Sequence, residues 1–287
     1  MIEEYVIGTE DRELWMRAFD KLPPEHQDIH WLPEYVEAHQ LDKKGFARIV
    51  ECGEEISFLP FMTGGCSPYG YGGLVGASAE FHGGGGKYRF HPLIGEWAGR
   101  VEKHIVALDL ACDDLRHGLS KGHRSAVRRA EKLGVDIGAG RTISIEDMSR
   151  FGLVYEATME RQSASDGWRH PVEHFWRMYE LMGDDHLKLF FAFVDGRIES
   201  GCIILHGFNT AYYHFSGSYM RHPKDGVNHF MVLRVAEWAK EQGYRWLHLG
   251  GGVTSDQNDP LLTFKKGFGG KLLPVHVHEG NNGARTH

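Results

Sequence analysis

Gly243-Tyr244-Arg245-Trp246-Leu247-His248-Leu249-Gly250-Gly251-Gly252, followed by Asp259-Pro260-Leu261 and Phe264-Lys265-Lys266-Gly267-Phe268-Gly269, is the stretch that decides the fold. Trp246 to Leu249 is a short apolar run bounded by turn residues, the pattern of a buried strand. Three glycines turn the chain, and a short helix is expected around Leu261 to Lys266. Upstream, Val227 to Gln242 reads as a helix. Before it come three strand-like runs, Lys188 to Val194, Glu199 to Leu205 and Thr210 to Ser216. Asp195-Gly196 marks the first hairpin turn, because both residues tolerate positive φ. Helices are expected near 144–163 and 171–182, and a last strand at Leu272 to His278.

The first half repeats this order. Helical patterns near 9–21 and 31–40 precede strands at Ala47 to Glu51 and Ile56 to Met62, joined through Cys52-Gly53-Glu54-Glu55. A Gly/Tyr-rich loop, the segment Lys87 to Leu93, a strand at His104 to Leu110 and a basic helix from about Leu119 to Leu133 follow. Gly134 suits the left-handed residue that ends many helices. Two copies of helix, helix, hairpin, strand, helix imply an α/β chain made by internal duplication. The expected domains are residues 1–140 and 141–287, with the last strand, 272–278, able to pair back onto the first domain. Gly83 to Gly86 reads as a flexible loop and Asn281 to His287 as a tail.

At 287 residues the chain suits two domains of ordinary size. Its 41 % apolar and 25 % charged residues set aside disorder and fibres. A net charge of −7 argues against a protein wrapped in nucleic acid, yet leaves room for a local basic patch. Cys52, Cys66, Cys112 and Cys202 form no CxxC pair, and no apolar segment opens the chain, so a reducing cytoplasm is expected. No apolar run reaches the roughly 20 residues needed to span a bilayer. The 19 histidines include His117 and His123, His222 and His229, and His276 and His278, at spacings that match no zinc motif, so no metal is expected.

Several segments, in this order, resemble the Fem family. They are Ser67-Pro68-Tyr69-Gly70-Tyr71-Gly72-Gly73, Arg89-Phe90-His91-Pro92-Leu93, Lys121-Gly122-His123-Arg124 with Arg128-Arg129-Ala130-Glu131-Lys132-Leu133-Gly134-Val135, Tyr155 with Thr158-Met159 and Arg161, Tyr213-His214-Phe215-Ser216-Gly217-Ser218, and the closing stretch quoted first. The resemblance implies two tandem GNAT-like domains, mixed sheets flanked by helices, and transfer of an amino acid from aminoacyl-tRNA to an amine. Alanine or glycine is the donor residue implied. Family members commonly carry a helix between the positions of Gly73 and Arg89, and some a tRNA-contacting helical arm; this chain has neither. A small peptide or peptidyl-nucleoside acceptor of an antibiotic pathway is therefore expected, with a peptidoglycan precursor as the other acceptor. The implied partner is the acceptor-stem end of the tRNA, without cofactor, for a protein expected to be a monomer.

An ester donor is already activated, so such an enzyme needs positioning and oxyanion stabilisation, with no covalent intermediate. The absence of a GxSxG elbow agrees. By the resemblance, Lys265 neutralises the oxyanion and Phe264 stacks on the terminal adenine; otherwise Phe264 is core and Lys265 a solvated helix residue. Lys121, Arg124, Arg128 and Lys132 recur along one helix face, where phosphates can dock. Tyr69, Tyr71, Arg89 and His91 belong to the half that holds the acceptor in the family. Tyr213, His214 and Ser216 are expected to alternate on a strand facing the second cleft, with His214 able to take the amine proton. An acetyl-CoA enzyme instead needs a pyrophosphate loop, and here that junction reads Arg221-His222-Pro223-Lys224-Asp225-Gly226-Val227-Asn228. Its spacing fails at Lys224, and Asp225 repels phosphate. An acyl-CoA-dependent N-acyltransferase and a non-catalytic envelope or polysaccharide assembly factor remain the alternatives.

Overall fold

The computed structural model describes residues 2–39, 43–65, 67–76, 87–95, 97, 99–140 and 142–279. The expected Gly83–Gly86 loop and the tail at 281–287 lie outside the described residues. In chain order the elements are β1 (Ile2–Gly8), α1 (Arg12–Phe19), α2 (Pro33–Ala38), β2 (Gly45–Cys52), β3 (Glu55–Met62), β4 (Val75–Gly76), β5 (Lys87–Arg89) and β6 (Arg100–Asp109). They continue with α3 (Leu115–Gly118), α4 (Lys121–Leu133), β7 (Asp136–Ala139), α5 (Ile145–Arg161), α6 (Val172–His186), β8 (Leu187–Val194) and β9 (Arg197–Gly207). Last come β10 (Thr210–Ser218), α7 (Val227–Glu241), β11 (Trp246–Gly251), α8 (Pro260–Lys266) and β12 (Lys271–Glu279). None of the described helices is long and apolar enough to cross a membrane.

The chain forms two compact units. One takes residues 1–104 and 273–287, the other residues 105–272. In the first, an antiparallel sheet runs β1-β2-β3-β4. Strand β1 was not expected from sequence, since its Ile2 and Val6 are exposed and its alternation is broken by paired glutamates. Trp15 and Phe19 of α1 lie edge-on to Phe58 of β3, with ring centroids 5.5 and 6.4 Å away, and all three are fully buried. Strand β12 pairs antiparallel with β5, Val277 opposite Arg89 and Glu279 opposite Lys87.

The second unit has a mixed sheet, in which β10 and β11 are parallel while β9, β8 and β7 follow β10 antiparallel. Asp195 and Gly196, at φ 49° and 72°, close the β8–β9 hairpin in the left-handed conformation that their residue types allow. One sheet face buries Cys202, Ile204 and Leu247 under Val127 and Ala130 of α4 and Met231 and Val235 of α7. The other meets Phe151 and Tyr155 of α5 and Phe175 of α6 around Phe215. The division differs from the boundary expected at 140. That point falls inside the second unit, because β7 pairs with β8 and α4 packs into the same core as α7.

Candidate active site

In the second unit β10 and β11 pair over three positions only, Thr210 with Trp246, Ala211 with Leu247 and Tyr212 with His248. Both strands then bulge, β10 between Tyr213 and Phe215 and β11 between His248 and Gly250. A bulge adds a residue and bends its strand, and pairing of the parallel strands ends there. His214 is the inserted residue, half-buried with its ring edge-on to Phe215 at 4.4 Å. The bulge also resets the alternation: Tyr213 stands opposite Ile204 and Ser216 opposite Cys202, which puts both on one face. The Tyr213 hydroxyl is hydrogen-bonded to Cys202 and Ser216, and burial, then Cys202, pushes its pKa well up. Tyr213, His214 and Ser216 therefore do not alternate across the cleft as expected. Tyr213 turns into the core, and only His214 is left at the bulge itself.

Helix α8 brings Lys265 to the end of β11, where its Nζ donates to the carbonyl oxygen of Gly251 at 2.7 Å. The start of that helix is built by Asp259, buried and hydrogen-bonded to the backbone N–H of Leu261 (2.9 Å), Leu262 (3.1 Å) and Thr254 (2.9 Å) and to the Thr254 hydroxyl (3.0 Å). Burial alone would raise this carboxyl, but the hydrogen bonds hold it below the usual range. Pro260 follows at the first helical position, where its missing N–H costs nothing. Asp259→Ala is expected to lower stability by about 1–2 kcal/mol, the usual cost of losing an N-cap, and Asp259→Asn by less. Chemical denaturation of the three proteins at neutral pH checks this order.

Phe264 is half-buried, with His123, His229 and Phe268 at ring centroid distances of 5.5, 4.9 and 5.2 Å. It packs against the core while part of the residue stays accessible. On α4, Lys121, Arg128 and Lys132 are exposed, and no ion pair joins them among the described residues. Arg124 is half-buried and donates to the carbonyl oxygens of Leu119 and, at 3.4 Å, His117. The exposed part of this basic face is thus Lys121, Arg128 and Lys132.

The turn from β10 to α7, where an acetyl-CoA enzyme cradles pyrophosphate, is held by a residue that sequence reasoning passed over. Glu199, 2 % exposed, accepts from the backbone N–H of Arg221 (2.7 Å) and His222 (3.2 Å) and from Arg221 Nε (3.0 Å). The Arg221 guanidinium also donates to Ile198 O, so it is not offered to a phosphate. A Cβ on Gly226 would lie 2.2 Å from Ala126 O, so α4 backs directly onto this turn.

The first unit holds Tyr69, Tyr71, Arg89 and His91. Tyr69 is exposed and stacks on His39 at 4.9 Å, 5° from parallel. Tyr71 and His91 are buried, 5.0 Å apart, with His30 5.2 and 5.5 Å away. Burial lowers the His91 pKa to about 3, opposed by Asp28 and reinforced by His30, so this ring is neutral and lies inside the fold. Arg89 is tied to Glu102, Nε to Oε2 at 2.5 Å. Of the four, Tyr69 is therefore the accessible one and Arg89 the half-buried one. Asp28, His30 and His91 also bring metal-capable atoms within 4.8 Å of one another. Asp28 Oδ1 and His30 Nδ1 are 2.6 Å apart, which is a hydrogen bond; two ligands of a tetrahedral zinc ion stand roughly 3.3 Å apart. The Leu93 N–H meets His91 Nδ1 at 3.2 Å.

Comparison with known proteins adds to this geometry. The model of the acetyltransferase (GNAT) domain family matches residues 120–265. A UDP-N-acetylmuramoylpentapeptide-lysine N(6)-alanyltransferase of Weissella viridescens is 26 % identical over 149 residues, 50 % of this chain and 41 % of that protein. The chain thus spans about two fifths of the length of that curated relative. Among solved structures, FemX superposes with a TM-score of 0.65 at 16 % identity, over 96 % of this chain and 95 % of that one. A tandem GNAT protein from the clavulanic acid biosynthesis pathway gives 0.54 at 10 % identity, over 97 % and 98 %. The two structural likenesses cover both units and match their α/β architecture, while the family match lies within the second unit. By its domain match, which takes in half of its residues, the chain belongs to the acetyltransferase (GNAT) domain family.

Proposed function

We propose that this protein is an aminoacyltransferase that moves an amino acid, alanine or glycine, from the 3′-ester of a charged tRNA to the amine of a nucleotide-linked or small peptide. The observation that carries the reading is Lys265, whose ammonium is held by Gly251 at the point where β10 and β11 part. In the reaction the amine nitrogen attacks the ester carbonyl. The carbonyl oxygen gathers negative charge, and the new C–N bond survives when the C–O bond to the ribose breaks. The amine loses a proton and the departing ribose oxygen gains one. In this reading Lys265 stabilises the oxyanion, His214 takes the amine proton, and Phe264 offers its accessible part to the terminal base. No cofactor enters this scheme. Because charged tRNA is a cytoplasmic reagent, the reaction belongs in the cytoplasm.

Two features support this donor. The turn before α7 is bound to Glu199 and carries Asp225, which opposes a CoA pyrophosphate, while Lys121, Arg128 and Lys132 leave three cations open to tRNA phosphates. The name of the Weissella relative supports a peptidoglycan precursor as the first acceptor to test, with peptidyl-nucleosides second. Purified protein incubated with labelled alanyl-, glycyl- and seryl-tRNA, and separately with labelled acetyl-CoA, against these amines decides the matter. Label passing from tRNA to the acceptor supports the proposal. Label passing from acetyl-CoA makes the chain a CoA-dependent N-acyltransferase, and transfer from neither leaves an assembly factor.

The basic face gives a second prediction. Replacing Lys121, Arg128 and Lys132 together by alanine is expected to reduce the salt dependence of tRNA binding by about two to three units of log–log slope, since each phosphate contact contributes about 0.7 to 0.9. Filter binding between about 50 and 200 mM salt measures it; an unchanged slope moves the tRNA elsewhere.

A further inference from the structure

The imidazole of His123 ties α4 to α8, and we infer that it is a positioning residue for Lys265, an inference that rests on the reaction proposed above. Both ring nitrogens are committed. Nε2 lies 2.8 Å from the carbonyl oxygen of Phe264, which can only accept, so Nε2 carries the hydrogen. Nδ1 is then the acceptor for the Ser120 hydroxyl, 3.0 Å away. Burial lowers the pKa of the ring, opposed by the Phe264 carbonyl, which favours this neutral form.

The surroundings are shaped to the ring. Ser120, the N-cap of α4, accepts from the backbone N–H of His123 at 3.2 Å, and its own N–H donates to the carbonyl oxygen of Gly267 at 2.8 Å. A Cβ at Gly267 would fall 2.0 Å from His123 Cε1. Since Gly267 has an ordinary helical φ of −62°, its missing side chain makes room for the ring and serves no backbone need. His229 of α7 closes the far side, its ring 4.5 Å from His123 and edge-on.

These contacts act at one short helix end. The last carbonyls of a helix lack intrahelical partners, and in a helix of seven residues they are most of the structure. Phe264 O is one of them, and it receives both the Gly267 N–H at 3.1 Å and the His123 ring. Phe264 is bonded to Lys265, so the ring that fixes this carbonyl fixes the root of the side chain reaching Gly251. His123 touches neither donor nor acceptor in this arrangement. It acts through Lys265.

The test is a mutational cycle read in kcat and KM for aminoacyl-tRNA, with thermal unfolding alongside. His123→Ala is expected to lower kcat by roughly tenfold to a hundredfold, as a misplaced catalytic group does, with KM nearly unchanged. His123→Gln, whose amide nitrogen reaches the Nε2 position, recovers most of the rate. Gly267→Ala attacks the same contact from the other side and lowers kcat by a similar factor, which keeps the test alive if His123→Ala folds poorly. In a Lys265→Ala background, His123→Ala changes the rate less than about twofold, because the two residues act as a unit. Equal losses with and without Lys265, or no recovery with glutamine, would make the ring mere packing and overturn the inference. If Lys265→Ala is slow but His123→Ala and Gly267→Ala run at the wild-type rate, the inference fails alone. If Lys265→Ala itself runs at the wild-type rate, the proposed chemistry fails and takes the inference with it.

Discussion

Lys265→Ala is expected to lower kcat for aminoacyl transfer by about 10² to 10³-fold, the loss seen when one preorganised oxyanion donor is removed. Charge develops on the carbonyl oxygen only as the tetrahedral intermediate forms, so the ammonium acts on the transition state and leaves ground-state tRNA binding largely unchanged. KM is therefore expected to stay within about threefold. Lys265→Arg rescues little. A Cβ on Gly250 would lie 3.3 Å from Lys265 Nζ, so the ammonium already sits close against the corner, and a broad planar guanidinium does not fit there as a point charge does. Single-turnover transfer from alanyl-tRNA under saturating enzyme separates chemistry from binding. A rate within about twofold of wild type would remove Lys265 from the reaction.

The second large effect concerns acid. In the unfolded chain the His91 imidazole protonates near pH 6.5, whereas the folded ring resists down to about 3 because burial disfavours its charge. As pH falls, the unfolded state binds the proton first. The stability this group contributes is fully present above about 6.5 and is lost progressively towards 3. A shift of that size corresponds to about 3 to 5 kcal/mol, a large part of the roughly 5 to 15 that holds a domain. His91→Asn removes the titration while its side-chain oxygen can still accept from the Leu93 N–H. Urea midpoints at steps from pH 7.5 to 4 are expected to fall less steeply in this variant than in the native protein. His174, His206 and His229, each lowered to about 4, chiefly by burial, contribute equally to both proteins and cancel in the comparison. Parallel curves would show that His91 is not the source.

Much of the fold was legible because local signals and periodicity agreed. Asp195-Gly196 announced the β8–β9 turn, and Gly134 ends α4 at φ 74°. Short strands flanked by turn residues were found within a few residues of their ends. The unit boundary was not legible, because it falls at His104 inside β6 and no composition marks a cut through a strand. Nor was the bulge at His214, which changes which side chains share a face without changing the hydropathy of the strand. Motif order pointed to Lys265 and Phe264 but not to what holds them. Asp259 and His123 stood inside the quoted motifs with no role assigned, since a cap and a clamp exist only once two distant elements meet. His91 shows the reverse: a polar residue of an aromatic motif, expected in the half that holds the acceptor, is buried by the fold.

Strand β12 has one further consequence. It is the last described element of the chain, yet it pairs with β5 and belongs with residues 1–104. On the ribosome, the sheet β1-β2-β3-β4 is therefore complete early, but β5 has no partner strand until residues 273–279 have been made, after all of residues 105–272. Through that interval the edge of β5 is open to any strand that reaches it sooner.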